Sequence, residues 1–267
     1  MLDRVSIAIK TFCRDPKLYK TISDIRRTMP DTQMLIADDG DITEEKDSIY
    51  AELQREGHKV FILPFDSGFG KKANKIIDNL DRDFTLVGSD DFDFSPPGVR
   101  LGIEKMLAVL DRDSELSIVS GRLANRGPYE FFLEESNKEI REIPCEWDIR
   151  LLPNFYGICD VTVNYSLIRR EVFDRVKYDD EEIIGEGGHG AFFYDVKKAG
   201  LKVAYVPGVE ISEQTGRDSD RYRQFRNRAC GPSRKCFEKR NIRKWVLGNG
   251  QVDYDVTGEN DAKAIVR

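Results

Sequence analysis

The chain has 267 residues, 40% hydrophobic and 34% charged, with 42 Lys and Arg against 48 Asp and Glu for a net charge of −6. That is enough apolar material for one folded domain with a proper core, and it excludes a disordered, collagen-like or coiled-coil chain. No stretch approaches the roughly 18 apolar residues of a membrane span, and five cysteines without a C-x-x-C pair beside two histidines argue against a disulfide framework or a zinc cluster, so a cytoplasmic setting is expected.

In chain order, the apolar, β-branched run Val5 to Ile9 reads as a strand, and Leu18, Ile22, Ile25 and Met29 recur at helical spacing. Strands follow at Met34 to Ala37, Val60 to Leu63, Phe84 to Val87 and Leu116 to Val119. Helices fit around Glu44 to Gln54, at Lys71 to Leu80 and at Val99 to Leu110. The alternation predicts an α/β chain: a mainly parallel, Rossmann-like sheet flanked by helices. Residues 121 to 157 show no clear period. A strand at Val161 to Tyr165, a helix start near Arg169, a glycine-rich loop Gly185 to Gly190, a helix Ala191 to Ala199 and a strand Val203 to Val206 are then expected. This divides one domain into a first half (1–120) and a second half (121–216), followed by a basic helical segment (217–247) and a loosely ordered polar tail (248–267).

In open α/β sheets ligands sit beyond the carboxyl ends of the strands, which directs attention to three loops: Thr11 to Pro16, Asp38 to Asp41 and Ser89 to Phe94. Leu86 to Asp93 is an apolar strand running straight into acids. Two like unit charges about 4 Å apart repel by up to about 4 kcal/mol at an effective dielectric near 20. A divalent cation on Asp90 and Asp91 relieves this, and hard carboxylate oxygens favour Mg²⁺ or Mn²⁺. The alternative is a solvated acidic turn. Asp38, Asp39 and Asp41 around Gly40 end the second strand similarly; a carboxylate there can accept from a uracil N–H, or simply build an Asx turn. Between them, Asp66 to Asn74 places Gly68, Gly70, Lys71 and Lys72 at a helix start, where amide groups and the helix dipole favour a diphosphate. It is not a Walker A loop, because Lys72 stands where Ser or Thr is required, and the lysines read equally as an exposed helix face.

Residues 217–244 hold eleven Lys or Arg and three acids, a local +8 that leaves −14 for the remainder. Arg221, Arg223, Arg226, Arg228, Arg234 and Lys235 interleave with Tyr222 and Phe225, a pattern suited to phosphates and stacked bases. It fits equally a helical region whose rings pack on the sheet.

The runs Ser6 to Phe12, Ser23 to Arg27, Ile36 to Asp39, Leu63 to Phe65, Ser89 to Phe92 and Val163 to Tyr165, with Asn74, His189, Phe192 and Phe193, resemble glycosyltransferases of the GT-A fold. The branch they resemble is the β-1,4-N-acetylgalactosaminyltransferases of the inverting family two. The resemblance implies uracil recognition by Asp39, contacts from Thr11 and Phe12, donor contacts near Lys72 and Asn74, and Asp90 with Asp91 as ribose and metal carboxylates; because Ser89 stands where many relatives have an acid, the metal rests chiefly on Asp91, with Asp93 as the substitute ligand. The family's catalytic acid precedes the paired aromatics, and here that position is Ala191. Glu186 and His189 are the nearby candidates for the general base that an inverting transfer needs.

The expectation is a metal-dependent glycosyltransferase that uses Mn²⁺ or Mg²⁺ and a UDP-sugar, with a glycan or a hydroxymethylated base in DNA as acceptor. The alternatives are a sugar nucleotidyltransferase and a non-enzymatic nucleic-acid-binding module. The sequence leaves the sugar, the acceptor and the oligomeric state open.

Overall fold

The computed structural model describes residues 2–147, 155–183, 187–226 and 235–256. Strands β1 (Val5–Thr11), β2 (Gln33–Asp38), β3 (Lys59–Ile62) and β4 (Phe84–Ser89) lie side by side in parallel, in the order β3-β2-β1-β4. All six residues of β2 are buried, as strands covered on both faces require. The sheet continues through β10 (Ser166–Arg169), β6 (Leu116–Leu123), β11 (Lys202–Glu213) and the short β5 (Phe92–Asp93), with β9 (Gly157–Cys159) also on β11. Strand β10 runs antiparallel between β4 and β6, and β6 and β11 are parallel.

Helix α1 (Asp15–Thr28) starts with Pro16 in its first turn and buries Leu18, Ile22 and Ile25. Helix α2 (Glu44–Arg55) is capped by Thr43, whose side chain accepts from the Lys46 amide. Both pack on one face of the sheet with α4 (Pro97–Arg112), which buries Val99, Ile103, Met106, Leu107 and Leu110. Proline at the first helical turn is tolerated because its missing N–H has no partner there anyway. The opposite face is covered by α3 (Phe69–Ile77), α5 (Gly188–Lys198) and α7 (Lys235–Lys239), with α6 (Asp220–Arg226) lying beyond the carboxyl end of β1. The expected α/β class, a largely parallel sheet between helices, is the observed one.

Three expectations are corrected. The unpatterned stretch 121–157 contains a hairpin, β7 (Phe131–Ser136) and β8 (Glu139–Pro144), which joins β12 (Lys244–Val246) and β13 (Val252–Asp255) in a second sheet ordered β13-β12-β8-β7. The expected strand Val161 to Tyr165 makes only an isolated bridge at Val161, and the ladder forms one segment later in β10. The tail was read as loose, yet Val252–Asp255 pairs with β12 and buries Tyr254 against Phe237. Among the described residues no helix is long and apolar enough to cross a membrane.

Candidate active site

Register sets the site. Thr11 lies opposite Asp38, and Lys10 lies opposite both Ala37 and Ser89, so the carboxyl ends of β1, β2 and β4 finish at one level. Their loops open on a cavity of about 180 Å³. Aromatic groups on one side are Phe12 and Phe225, whose rings stand 5.4 Å apart edge to face, with Phe65 5.4 Å from each. Lys10, Arg14, Lys72 and Arg226 line it with Asp39, Asp66 and Asp90, and Asn164 and Tyr222 complete the wall.

Asp39 is buried. One oxygen accepts from Lys72 Nζ at 2.5 Å and the other from the Gly68 amide at 2.8 Å. Each oxygen keeps a second lone pair for a ligand N–H. Lys72 Nζ also reaches the Thr11 carbonyl at 3.1 Å, so the lysine is pinned at the cavity wall. Thr11 Oγ1 donates to Asp90 Oδ2 at 2.9 Å. Arg14 then ties the acids together: Nη1 to Asp90 Oδ1 at 2.9 Å, Nη2 to Asp91 Oδ2 at 2.5 Å and Nε to Asp218 Oδ1 at 3.0 Å. Asp91 Oδ1 accepts from the Ser89 hydroxyl. Burial pushes the Asp90 carboxyl up to about 6 against the opposing pull of Arg14. Lys10, hydrogen-bonded to the Gly88 carbonyl at 3.2 Å, is lowered to about 8 by burial and by Lys72.

Thr11, Phe12, Asp39, Lys72, Asp90 and Arg226 therefore meet in one cavity, and Asp91 joins them through Arg14. Other candidates are elsewhere. Asp38 is fully enclosed: it accepts from Tyr50 Oη at 2.7 Å and the Gly40 amide at 2.8 Å, and pairs with buried Lys46 at 3.0 Å, so it is a structural carboxylate. Asp93 lies off the cavity wall: its Oδ1 accepts from Lys20 on α1 at 2.8 Å and from Ser95 Oγ at 2.6 Å. Lys71 is exposed on α3. Asn74 serves the fold, donating to the Tyr178 carbonyl at 2.7 Å and to Asp180 at 2.8 Å.

The start of α3 is also not the anion site read from its glycines. The Phe69 and Gly70 amides donate to the carbonyls of Ile183 and Glu182 at 2.9 and 2.8 Å. With Gly68 given to Asp39, these helix-start donors are occupied. A Cβ on Gly70 would lie 1.7 Å from the Asp179 carbonyl oxygen, so that glycine permits close backbone approach rather than phosphate binding.

Glu186, Arg228 and Arg234 lie outside the described residues. His189 sits at the start of α5 with Nε2 2.5 Å from the Thr162 carbonyl, packed against Tyr129 and Phe193. Burial lowers it to about 4, so it is neutral, with Nε2 donating and Nδ1 left as the basic nitrogen. It is not part of the cavity wall. The basic segment is largely spent within the chain. Arg221 pairs with Asp41 at 3.2 Å and stacks on Phe65 and Phe225; Arg223 pairs with Asp220. Arg240 pairs with Asp179 and Asp195, Lys239 with Asp179, and Lys244 with Glu139. Lys235 is exposed at the start of α7.

Lys10 and Arg14 are not among the site residues expected from the sequence, although Arg14 lies in an expected ligand-facing loop, and Tyr222 and Phe225 fit stacked bases or packing on the sheet equally there. A signal existed for the latter: Tyr222, Phe225 and Arg226 share one helical face at i, i+3 and i+4. For Arg14 the signal was its place in the loop Thr11 to Pro16 at the carboxyl end of a strand; its acid partners, 76 and more positions away, carried none.

Asp90 and Asp91 offer the hard oxygen donors that Mg²⁺ or Mn²⁺ takes, one or two carboxylates with substrate phosphates completing the shell. Among the described residues no cluster of three His, Cys, Asp or Glu supplements them. The donor chemistry fits such an ion, and the position is shared with Arg14.

The model of glycosyl transferase family 2 matches residues 6–177. The mouse β-1,4 N-acetylgalactosaminyltransferase 2 is 32% identical over 215 residues, covering 79% of this chain and 39% of that protein. The human β-1,4 N-acetylgalactosaminyltransferase 1 is 33% identical over 117 residues, 44% of this chain and 20% of that one. The chain thus spans about two fifths of the length of the mouse relative. Residues 1–349 of S. aureus TarS superpose with a TM-score of 0.55 at 12% identity over 79% of this chain and 60% of TarS, and the TarS complex with UDP gives 0.54. These structures share the fold. On the match to residues 6–177 and the geometry above, the chain belongs to glycosyl transferase family 2.

Proposed function

We propose that this chain transfers a sugar from a uridine diphosphate sugar to an acceptor hydroxyl, with N-acetylgalactosamine as the sugar and a glycan as the acceptor. The observation that carries this reading is the cavity itself, where an aromatic wall, a buried carboxylate and a cluster of cations adjoin at the carboxyl ends of three parallel strands. Phe12 and Phe225 suit the flat faces of a pyrimidine, and Asp39 suits its N–H. Lys10, Lys72 and Arg226 suit the diphosphate, whose departing charge is stabilised by cations fixed in advance. A divalent cation, Mn²⁺ or Mg²⁺, on Asp90 and Asp91 would add to that charge stabilisation. The sugar follows the relatives named N-acetylgalactosaminyltransferases, and the TarS–UDP complex supports the nucleotide.

The proton of the attacking hydroxyl falls to Glu186 in this reading, since His189 is not among the residues lining the cavity and burial lowers it to about 4, a weak base. A glycan acceptor is preferred to DNA because the cations of the basic segment pair with acids of the same chain. Donor hydrolysis tests the reading. The protein should release uridine diphosphate slowly from its sugar conjugate with Mn²⁺ or Mg²⁺, and Asp91→Ala should abolish release. With an acceptor present, Glu186→Gln should keep donor binding and lose transfer. A protein that never cleaves any uridine diphosphate sugar would refute it.

A further inference from the structure

Arg14 is placed where the donor reading puts a divalent ion, and it is held there by three acids at once. Its side chain is 11% exposed, its three guanidinium nitrogens face Asp90, Asp91 and Asp218, and Tyr222 covers its plane at 4.4 Å. Without a cation, the buried pair Asp90 and Asp91 would be two uncompensated neighbouring charges, which proteins avoid. A divalent ion binds carboxylate oxygen at about 2.0–2.6 Å, so it would stand against the guanidinium that now takes one oxygen from each acid. Two cations at that distance repel. The same guanidinium reaches the carboxyl-terminal segment, since Asp218 precedes α6 and Tyr222 lies on it.

We propose that Arg14 is the resident counter-cation of the Asp90–Asp91 pair, and that a divalent ion occupies these carboxylates only by displacing it, which loosens α6. The proposal rests on the donor reading and concerns how that site is loaded. Arg14 is a positioning residue here: it keeps the acids together until an ion arrives and holds α6 against the cavity in the meantime. Lys17, 2.8 Å from Asp218, and Ser219, whose hydroxyl donates to the Cys13 carbonyl at 2.9 Å, remain as further ties. Displacement therefore frees α6 from one of its attachments and leaves the segment tethered. By linkage, whatever weakens the hold on α6 strengthens ion binding by the same factor.

The test is a Mn²⁺ titration of the nucleotide-free protein, followed by the paramagnetic resonance signal of the free ion. Wild type should bind weakly and Arg14→Ala about ten-fold or more tighter, with Asp218→Asn in between because it removes one of the three acids holding Arg14. Asp218→Asn keeps the test decisive if Arg14→Ala does not fold. Amide hydrogen exchange over residues 219–226 should quicken in wild type at saturating Mn²⁺ and should already be fast in Arg14→Ala. Equal Mn²⁺ affinities in wild type and both variants, or saturation without a change in that exchange, would overturn the proposal. Nucleoside diphosphate binding by wild type separates the two failures. Nucleotide binding with equal ion affinities sinks only the role of Arg14, and no nucleotide binding sinks the donor reading itself.

Discussion

At the scale of single residues, Asp38 and Asp39 are neighbours in sequence with different work. Asp38 satisfies Tyr50, Lys46 and the Gly40 turn inside the core, while Asp39 faces the cavity with Lys72. The sequence marked both acids and could not divide them, because successive residues at a strand end take opposite sides and the choice depends on partners 12 to 33 positions away. Glu182 carried no signal at all. It is buried, with Oε1 accepting from the Gly188 amide at 2.7 Å and Oε2 without a hydrogen-bond partner among the described residues. Burial raises it to about 8. A carboxyl raised in the folded state binds its proton more tightly there, so its contribution to stability is full below about 4.5 and is lost as pH rises through about 8. Glu182→Gln should therefore match wild type near pH 4 and exceed it above pH 8 by up to about 5 kcal/mol, about 1.4 for each pH unit between 4.5 and 8. Urea unfolding at both pH values checks this, and a variant weaker than wild type at high pH would contradict the assignment.

Among elements, the parallel strands β1, β2, β4, β6 and β11 were legible because apolar, β-branched runs alternate with helical spacing. The hairpin β7–β8 was not, since its strands alternate buried Phe131, Leu133 and Ile140 with exposed Glu134 and Arg141, a weak pattern amid prolines and acids. The start of α3 shows how composition misleads. Glycines and lysines there resemble a phosphate cradle, yet the loop 179–183 docks its backbone onto Gly70 and takes the helix's first amides. Gly70→Ala should force that loop away, costing about 1–3 kcal/mol as in other overpacked contacts. Denaturant unfolding measures the loss, and faster amide exchange at Phe69 and Gly70 locates it. An unchanged midpoint with unchanged exchange would show that the loop is not packed as described.

Over the whole molecule, the charge segregation was read correctly as a basic carboxyl-terminal stretch on an acidic body, but its use could not be read from composition. Folding brings the two signs together: Arg14 and Lys17 meet Asp218, Arg221 meets Asp41, and Arg240 meets Asp179 and Asp195. Segregation along the chain thus becomes neutralisation in space, and the segment's Tyr222 and Phe225 line the cavity. The central claim is that this cavity holds a uridine diphosphate. Calorimetric titration of wild type with uridine, adenosine and guanosine diphosphates, repeated on Asp39→Asn, tests it most directly. The account predicts that uridine diphosphate binds most tightly and that Asp39→Asn weakens it about ten-fold, the effect of losing one charged hydrogen bond. Equal affinity for all three nucleotides, binding untouched by Asp39→Asn, or no binding at all would contradict it.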